Sequence, residues 1–531
     1  MTTPPNTGPR AKALSLGALL LSAGLAACTA SPEPDGHPPD EALIAATSAI
    51  ELDTAEELAD AVFLFKRSTL GAFTVATDPN ERGETLIYPE SVGVLAEDDL
   101  FEEIFGIGDE AFEAERDRQF GLGRAPLPPL PLPTPSQRIQ TGELGGVDST
   151  SCRSCHFTGG PDGAGTATQV GLFRGDGRRL SSATVREAPH VMGLGYITLM
   201  ARQIDREIQH RVFLGTFFAE NDGVPSEVNL NIDGIDFGRV TISPEGDIDT
   251  SQIIGISPDL VVRPFGFKGR HRDLVHLTDE ALQLHHGLQS AARAEVYADQ
   301  AATYLGDNED SFDRDGDGIQ SDASGGQSVL LASYLSMLAV PNVRPPEDPR
   351  LAFVWARGRA VFDEVDCGSC HRPSTRLTGE LVVTHEAIGA TDLTVSIDLR
   401  EFGQDPRPSN LDFGQLGDDE NILVGVPIYP FTDLRRHDMG PELAEPGPEI
   451  LPDGGGEIPG EVWLTRSLWG LADTAPYLHD GRAPTVHDAI VWHGGEGAES
   501  RDAYLALDGE DQAALRVFLL SLTRAPTVLV D

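Results

Sequence analysis

The sequence predicts a mainly α-helical protein in two units, with a small β-hairpin insertion in the first and an N-terminal extension before it. Three observations lead there. Leu, Ala and Phe recur at helical spacing along much of the chain. The stretch 227–268 breaks that pattern with short alternating runs between Gly, Pro and Asp turns. Pro341, Pro345, Pro346 and Pro349 then mark a boundary near the middle. With 531 residues, 40% of them hydrophobic, the chain can build two or three cores and is too apolar for wholesale disorder.

The first 28 residues read as a targeting segment. Arg10 and Lys12 form a basic start, residues 13–27 are apolar, and Leu25-Ala26-Ala27-Cys28 resembles the bacterial lipobox, in which the Cys becomes a lipidated N-terminus. Thr29 after Cys28 favours the outer over the inner membrane of a Gram-negative bacterium, with the protein facing the periplasm. Residues 29–41 are a Pro- and Asp-rich tether. Residues 42–141 form the extension, with helical patterns at 42–66 and 96–120 and a Pro-rich connector at 125–136. The first unit spans 142–345, with helices expected at 195–209, 278–304 and 325–339 around the hairpin insertion. The second spans 346–531, with helices expected at 351–364, 484–494 and 510–523, the last two capped by Thr485 and Asp508. Beyond the targeting segment, nothing reaches the roughly 18 apolar residues of a membrane helix.

Acidic residues number 84 against 39 basic ones, a formal charge of −45. That argues against a nucleic-acid partner, which needs clustered Lys and Arg. It suits a redox donor protein with a basic docking face, such as a small cytochrome or cupredoxin.

The five cysteines are all accounted for: Cys28, and two each in Cys152-Arg153-Ser154-Cys155-His156 and Cys367-Gly368-Ser369-Cys370-His371. In C-x-x-C-H two thiols reach the two vinyl groups at one haem edge, and the adjacent His meets the iron as proximal ligand. A zinc knuckle needs further ligands at fitting spacing, and a thioredoxin-like C-x-x-C does not demand His twice. Two covalently bound c-type haems follow, attached outside the cytoplasm as the export signal requires, with His156 and His371 on the irons. The two units are therefore expected to be cytochrome c-like haem domains.

Between the motifs, Asp313, Asp315 and Asp317 form a D-x-D-x-D-G run that offers hard oxygens at alternating positions. It is a candidate calcium loop, although Ser324 stands where an EF-hand has its bidentate Glu. A solvated acidic turn is the competing reading.

The C-terminal run TRSLWGLADTAPYLHDGRAPTVHDAIVWHGGEGAES, with FTDLRRHDMGPELAE at 431–445 and GRAVFDEVDCGSCHRP at 358–373, resembles the bacterial di-haem oxidoreductases related to di-haem cytochrome c peroxidases. VVRPFGFKGRHRDL at 261–274 and REAPHVMGLGYI at 186–197 are similar to family segments as well. The resemblance implies Met439 as distal ligand of the second haem, with His437 as runner-up, because a thioether suits an electron-storing low-spin haem. For the first haem, His190 and Met192 are the candidates. His190 would be a reversible ligand, an acid/base group over an open iron, or a structural His. The resemblance also implies calcium between haem domains, and it places Tyr477-Leu478-His479-Asp480 near the second haem. The expected activity is peroxidase-like, with electrons passing from the second haem to the first and on to peroxide or another small substrate. A non-enzymatic electron-transfer cytochrome and a di-haem oxygenase of an organic substrate are the alternatives.

Overall fold

The computed structural model describes residues 151–160, 162–166, 170–173, 183–286, 325–343, 348–388, 394–399, 425–451 and 455–524, with scattered positions between 105 and 346 besides. The readings at Cys28, at helix 42–66, at most of 96–120 and at Asp313, Asp315 and Asp317 lie outside the described residues. All described residues belong to one unit, Phe65–Asp531.

Strands β1 (Val170–Phe173) and β2 (Ala183–Arg186) pair antiparallel ahead of α1 (Leu194–Asp222). Helix α1 runs well past the expected 195–209. Its buried stripe continues through Ile204, Ile208, Val212, Gly215 and Ala219, and Arg211 reaches Glu207 one turn back at 2.8 Å. The expected hairpins follow as a three-stranded meander, β3 (Ser226–Ile232), β4 (Ile235–Ile242) and β5 (Ile248–Ile253). Asp233-Gly234 turns β3 into β4 with both φ positive, at 51° and 84°, the geometry for which Asp-Gly is favoured. The run DLVVRPF forms no strand; one bridge, Phe265 to His271, is all it contributes.

Asp273 caps α2 (Leu274–His286), its Oδ1 accepting from the backbone N–H of His276 at 2.9 Å. Helix α3 (Gly325–Met337) is buried along its whole length and packs against α1 and α2. Helix α4 (Pro349–Glu364) starts at Asp348, which accepts from the Arg350 N–H at 2.9 Å with Pro349 in the first turn.

The second half departs from the mainly helical expectation. Strands β6 (Thr375–Leu377) and β9 (Val426–Ile428) pair, as do β7 (Val382–Glu386) with β8 (Thr394–Asp398), and β10 (Arg436–Asp438) with β11 (Val462–Leu464). The described fold is a mixture of helix and short sheet. The chain closes with α5 (Val486–Val491), α6 (Ala498–Ala506) and α7 (Gly509–Leu519). Thr485 and Asp508 cap α5 and α7 as expected, and α6 was not foreseen.

Among the described residues two apolar cores form. One joins α1, the meander, α3, β7 and β8 through residues such as Ile208, Phe237, Tyr334 and Ile397. The other lies under the second C-x-x-C-H motif, where Phe362 of α4 meets Phe518 of α7 at 5.5 Å and Phe431 at 5.9 Å, edge to face. Gly358 lets α4 and α7 touch backbone to backbone, since a Cβ there would lie 1.9 Å from the Ala514 carbonyl oxygen. Among the described residues no helix is long and apolar enough to cross a membrane.

Candidate functional site

Both C-x-x-C-H motifs fold into the same local shape, one 3-10 turn over Cys152–Ser154 and another over Cys367–Ser369. In each, the His backbone N–H donates to the carbonyl of the first Cys, at 3.1 Å for His156 and 2.9 Å for His371. This winds both thiols and the imidazole into a compact cluster. Each proximal ring is then tethered through Nδ1, to the Gly163 carbonyl at 3.3 Å and to the Phe431 carbonyl at 3.1 Å. Such a bond fixes the tautomer and leaves Nε2 as the ligand atom. Burial lowers both pKa values to about 4, so both rings are neutral and fit to ligate at neutral pH.

A cavity of about 360 Å³ opens on the second motif. Cys367, Cys370 and His371 line it together with Met439, His437, His493, Arg466, Trp463, Trp469, Tyr477, Leu478, His479 and His190. Cys367, itself half-exposed toward this space, has its thiol pushed up to about 12, first by burial and then by Asp366. Tyr477–His479 thus line the cavity beside the second motif. Met439 also lines the cavity, its backbone N–H bound to the Glu461 carbonyl at 2.9 Å.

His437 is engaged on both sides. Its Nε2 meets Asp433 at 3.0 Å and its Nδ1 meets Glu496 at 2.7 Å. Burial opposes a charge there, but Asp433 and Cys370 outweigh it and push the pKa up to about 10. With both ring nitrogens bonded to carboxylates, neither is open toward the cavity in this arrangement.

His190 has the opposite environment. It is 9% exposed and neither ring nitrogen has a hydrogen-bond partner in good geometry among the described residues. Burial, then Arg466, lower its pKa to about 3; a weak contact with the Ser467 backbone opposes them and nearby His156 adds to the lowering. It is a neutral, unsatisfied imidazole beside a cavity that carries the second motif, while His156 of the first motif is among the groups acting on it. An orphaned buried imidazole is costly without a partner, and an iron or a bound peroxide would satisfy it. Arg466 has no carboxylate within ion-pair distance among the described residues, and burial lowers its pKa to about 10. A guanidinium lining the cavity without a counter-ion suits the carboxylate edge of a haem. The donor set therefore fits a haem.

Around the first motif, sequence reading missed His285 and His286 at the end of α2. His286 Nε2 lies 3.5 Å from Cys152 Sγ, and its Nδ1 meets the Ser149 carbonyl at 2.9 Å. Phe112 packs 5.7 Å from the His156 ring. The Tyr334 hydroxyl lies 2.6 Å from an Asp109 carboxylate oxygen and 2.7 Å from one of Asp162, so that its one proton is shared between them, and Arg153 reaches Asp109 at 2.8 Å.

A polar strut joins residues 186–271 to the second motif's surroundings. Arg186 binds Glu445 at 2.8 Å and also pairs with Glu449. Lys268 gives its three protons to the carbonyls of Pro459, Gly460 and Val462, at 3.0, 2.7 and 2.9 Å. Trp463 is held between Lys268, 3.8 Å from its ring centre, and the His479 ring stacked at 4.0 Å.

Residues 406–522 match the family described as "Di-haem oxidoreductase, putative peroxidase". Over this span the chain is similar to that family. The match bears out the resemblance read from the sequence and implies haem as the cofactor. It takes in Met439, His479 and His493 and stops short of both C-x-x-C-H motifs. No curated protein matches the chain. Among solved structures, a MauG-like protein associated with microbial copper homeostasis is 16% identical, covering 54% of this chain and 79% of its own, at a TM-score of 0.24. Hydrazine synthase of Kuenenia stuttgartiensis is 17% identical, covering 37% of this chain, at a TM-score of 0.19. The chain spans 55% of the length of that hydrazine synthase chain. At these scores neither likeness bears on the fold or the chemistry.

Proposed function

We propose that this di-haem oxidoreductase is a c-type cytochrome with peroxidase-like activity, reducing hydrogen peroxide with electrons from a small donor protein. The observation that carries the reading is His190, a buried neutral imidazole with both nitrogens unsatisfied, lining the cavity of the second motif. Two motif turns of the same shape, each with its proximal imidazole tethered at Nδ1, support covalent attachment of a haem at each. A haem bound there supplies one-electron transfer and an iron site for the O–O bond.

The chain's own residues handle the protons. Burial keeps His190 neutral, so a ring nitrogen is there to accept the proton of an incoming peroxide. It then returns that proton to the oxygen that leaves as water. The overall reaction takes two electrons and two protons per peroxide and gives two waters. Arg466 holds positive charge beside the cavity while negative charge develops. Electrons would enter at the haem held by Cys367 and Cys370 and pass to the one held by Cys152 and Cys155, whose proximal His156 is among the groups acting on His190. The chain is held through a lipidated Cys28 at the periplasmic face of the outer membrane, and calcium at Asp313, Asp315 and Asp317 lies between the haem motifs.

The test is anaerobic turnover of the haem-loaded protein with a reduced small cytochrome as donor. The proposal expects two donor equivalents oxidised per peroxide consumed. Product formed from an organic substrate and oxygen, with no added peroxide, would replace it with an oxygenase.

A further inference from the structure

We propose that His493, rather than Met439, is the distal iron ligand of the haem held by Cys367 and Cys370. This rests on the reading of that motif as a haem site and names the ligand that closes it.

The His371 and His493 rings have their centroids 6.3 Å apart, and both line the same cavity. An imidazole nitrogen ligates a first-row metal ion at about 2 Å, with its ring centre about 1 Å behind, so two rings sharing one ion sit roughly 6 Å apart. The planes are inclined by 57°. Each ring turns about its own bond to the iron, so ligands on opposite faces need not be parallel.

The tautomers agree as well. His493 Nδ1 meets the Ala489 carbonyl one helical turn back at 2.8 Å, as His371 Nδ1 meets the Phe431 carbonyl at 3.1 Å. In each ring this leaves Nε2, for which no hydrogen-bond partner exists among the described residues. Two rings each tethered at Nδ1, with Nε2 open to one cavity, form the usual second layer of support for a pair of metal ligands.

Met439 is the rival at close range. Its methyl and the His493 ring both lie within 3.4 Å of the place where a Cβ on Gly497 would stand. The sulfur has no comparable anchoring, whereas the His493 ring is fixed from α5. Gly497 carries no Cβ, and adding one would push against both groups.

The chemical consequence is a lower potential. A thioether favours ferrous iron and an imidazole does not, so two imidazoles give a low-spin haem that donates electrons more readily than a His/Met one.

The experiment uses the full, haem-loaded protein, with haem on the 367–371 peptide confirmed by mass spectrometry. Ferric absorption and EPR spectra are recorded for wild type, His493→Gly, His493→Gly with added imidazole, and Met439→Leu. The inference expects no long-wavelength thioether–iron(III) band in wild type and an unchanged spectrum in Met439→Leu. It expects His493→Gly to lose one low-spin signal, to a high-spin form or to a new thioether band, with imidazole restoring it. A thioether band in wild type that Met439→Leu removes, with His493→Gly unchanged, overturns the ligand assignment alone. A 367–371 peptide without haem overturns the haem reading and the ligand with it.

Discussion

Buried histidines recur through the site, and what each can do is decided by which of its nitrogens is taken. His371 and His493 have one nitrogen tied and one open, His437 has both tied, and His190 has neither. His190→Gln should lower peroxide turnover by about 10²- to 10⁴-fold, the usual contribution of a positioned acid/base group, while both haems stay attached; steady-state rates with haem content measured alongside decide it. His190 was legible because it stands in the run REAPHVMGLGYI, which resembles a family segment. His286 and His493 were not, because their significance depends on a carbonyl that only the folded backbone supplies. Asp273 shows a second residue effect. Burial would raise its pKa, but the hydrogen bonds from His276 outweigh burial and hold it well below the usual carboxylate range. A group with a depressed folded pKa adds stability that is complete above the unfolded value and fades as pH falls toward the folded one. The wild type should therefore lose more stability than Asp273→Asn between about pH 5 and pH 3. Asn keeps the cap of α2, so denaturant midpoints across that range isolate the charge.

At the level of elements, helices announced themselves where caps and stripes coincide. Asp508 before α7 and Thr485 before α5 hold their expected N–H groups. The Asp-Gly turn of the meander was visible for the same reason, since its backbone demand is written in the residues. The strands of the second half were not. Runs such as Thr375–Leu377 and Val462–Leu464 are three residues long, and their partners lie tens of residues away. Alternation over three positions cannot be separated from a turn of helix. The crossing of α4 and α7 gives a direct test of packing. Gly358→Ala drives a methyl into the Ala514 carbonyl, and overpacking of this kind costs about 1–3 kcal/mol. The variant should unfold earlier in denaturant and release its C-terminal haem unit's tertiary circular dichroism first; an unchanged midpoint would mean the helices cross elsewhere.

Over the whole molecule, the formal charge of −45 makes the protein strongly electronegative. Association with a donor carrying a basic face should be steered by that field and fall steeply with ionic strength. Stopped-flow rates that do not change as salt rises would point to an uncharged docking surface instead. The polar strut of Arg186, Glu445, Glu449 and Lys268, with Trp463 held between Lys268 and His479, ties the segment carrying His190 to the second motif's pocket. That union was not legible in the sequence, where two separate haem units were the natural reading, because ion pairs across more than 250 positions leave no local pattern. The account depends most on one iron being reactive while the other stores an electron. EPR of the haem-loaded protein, fully oxidised and then reduced by one electron, tests this most directly. The account predicts that one low-spin signal disappears on half-reduction while the remaining ferric haem becomes high-spin or binds peroxide on addition. Two low-spin haems throughout, neither responding to peroxide, would contradict it.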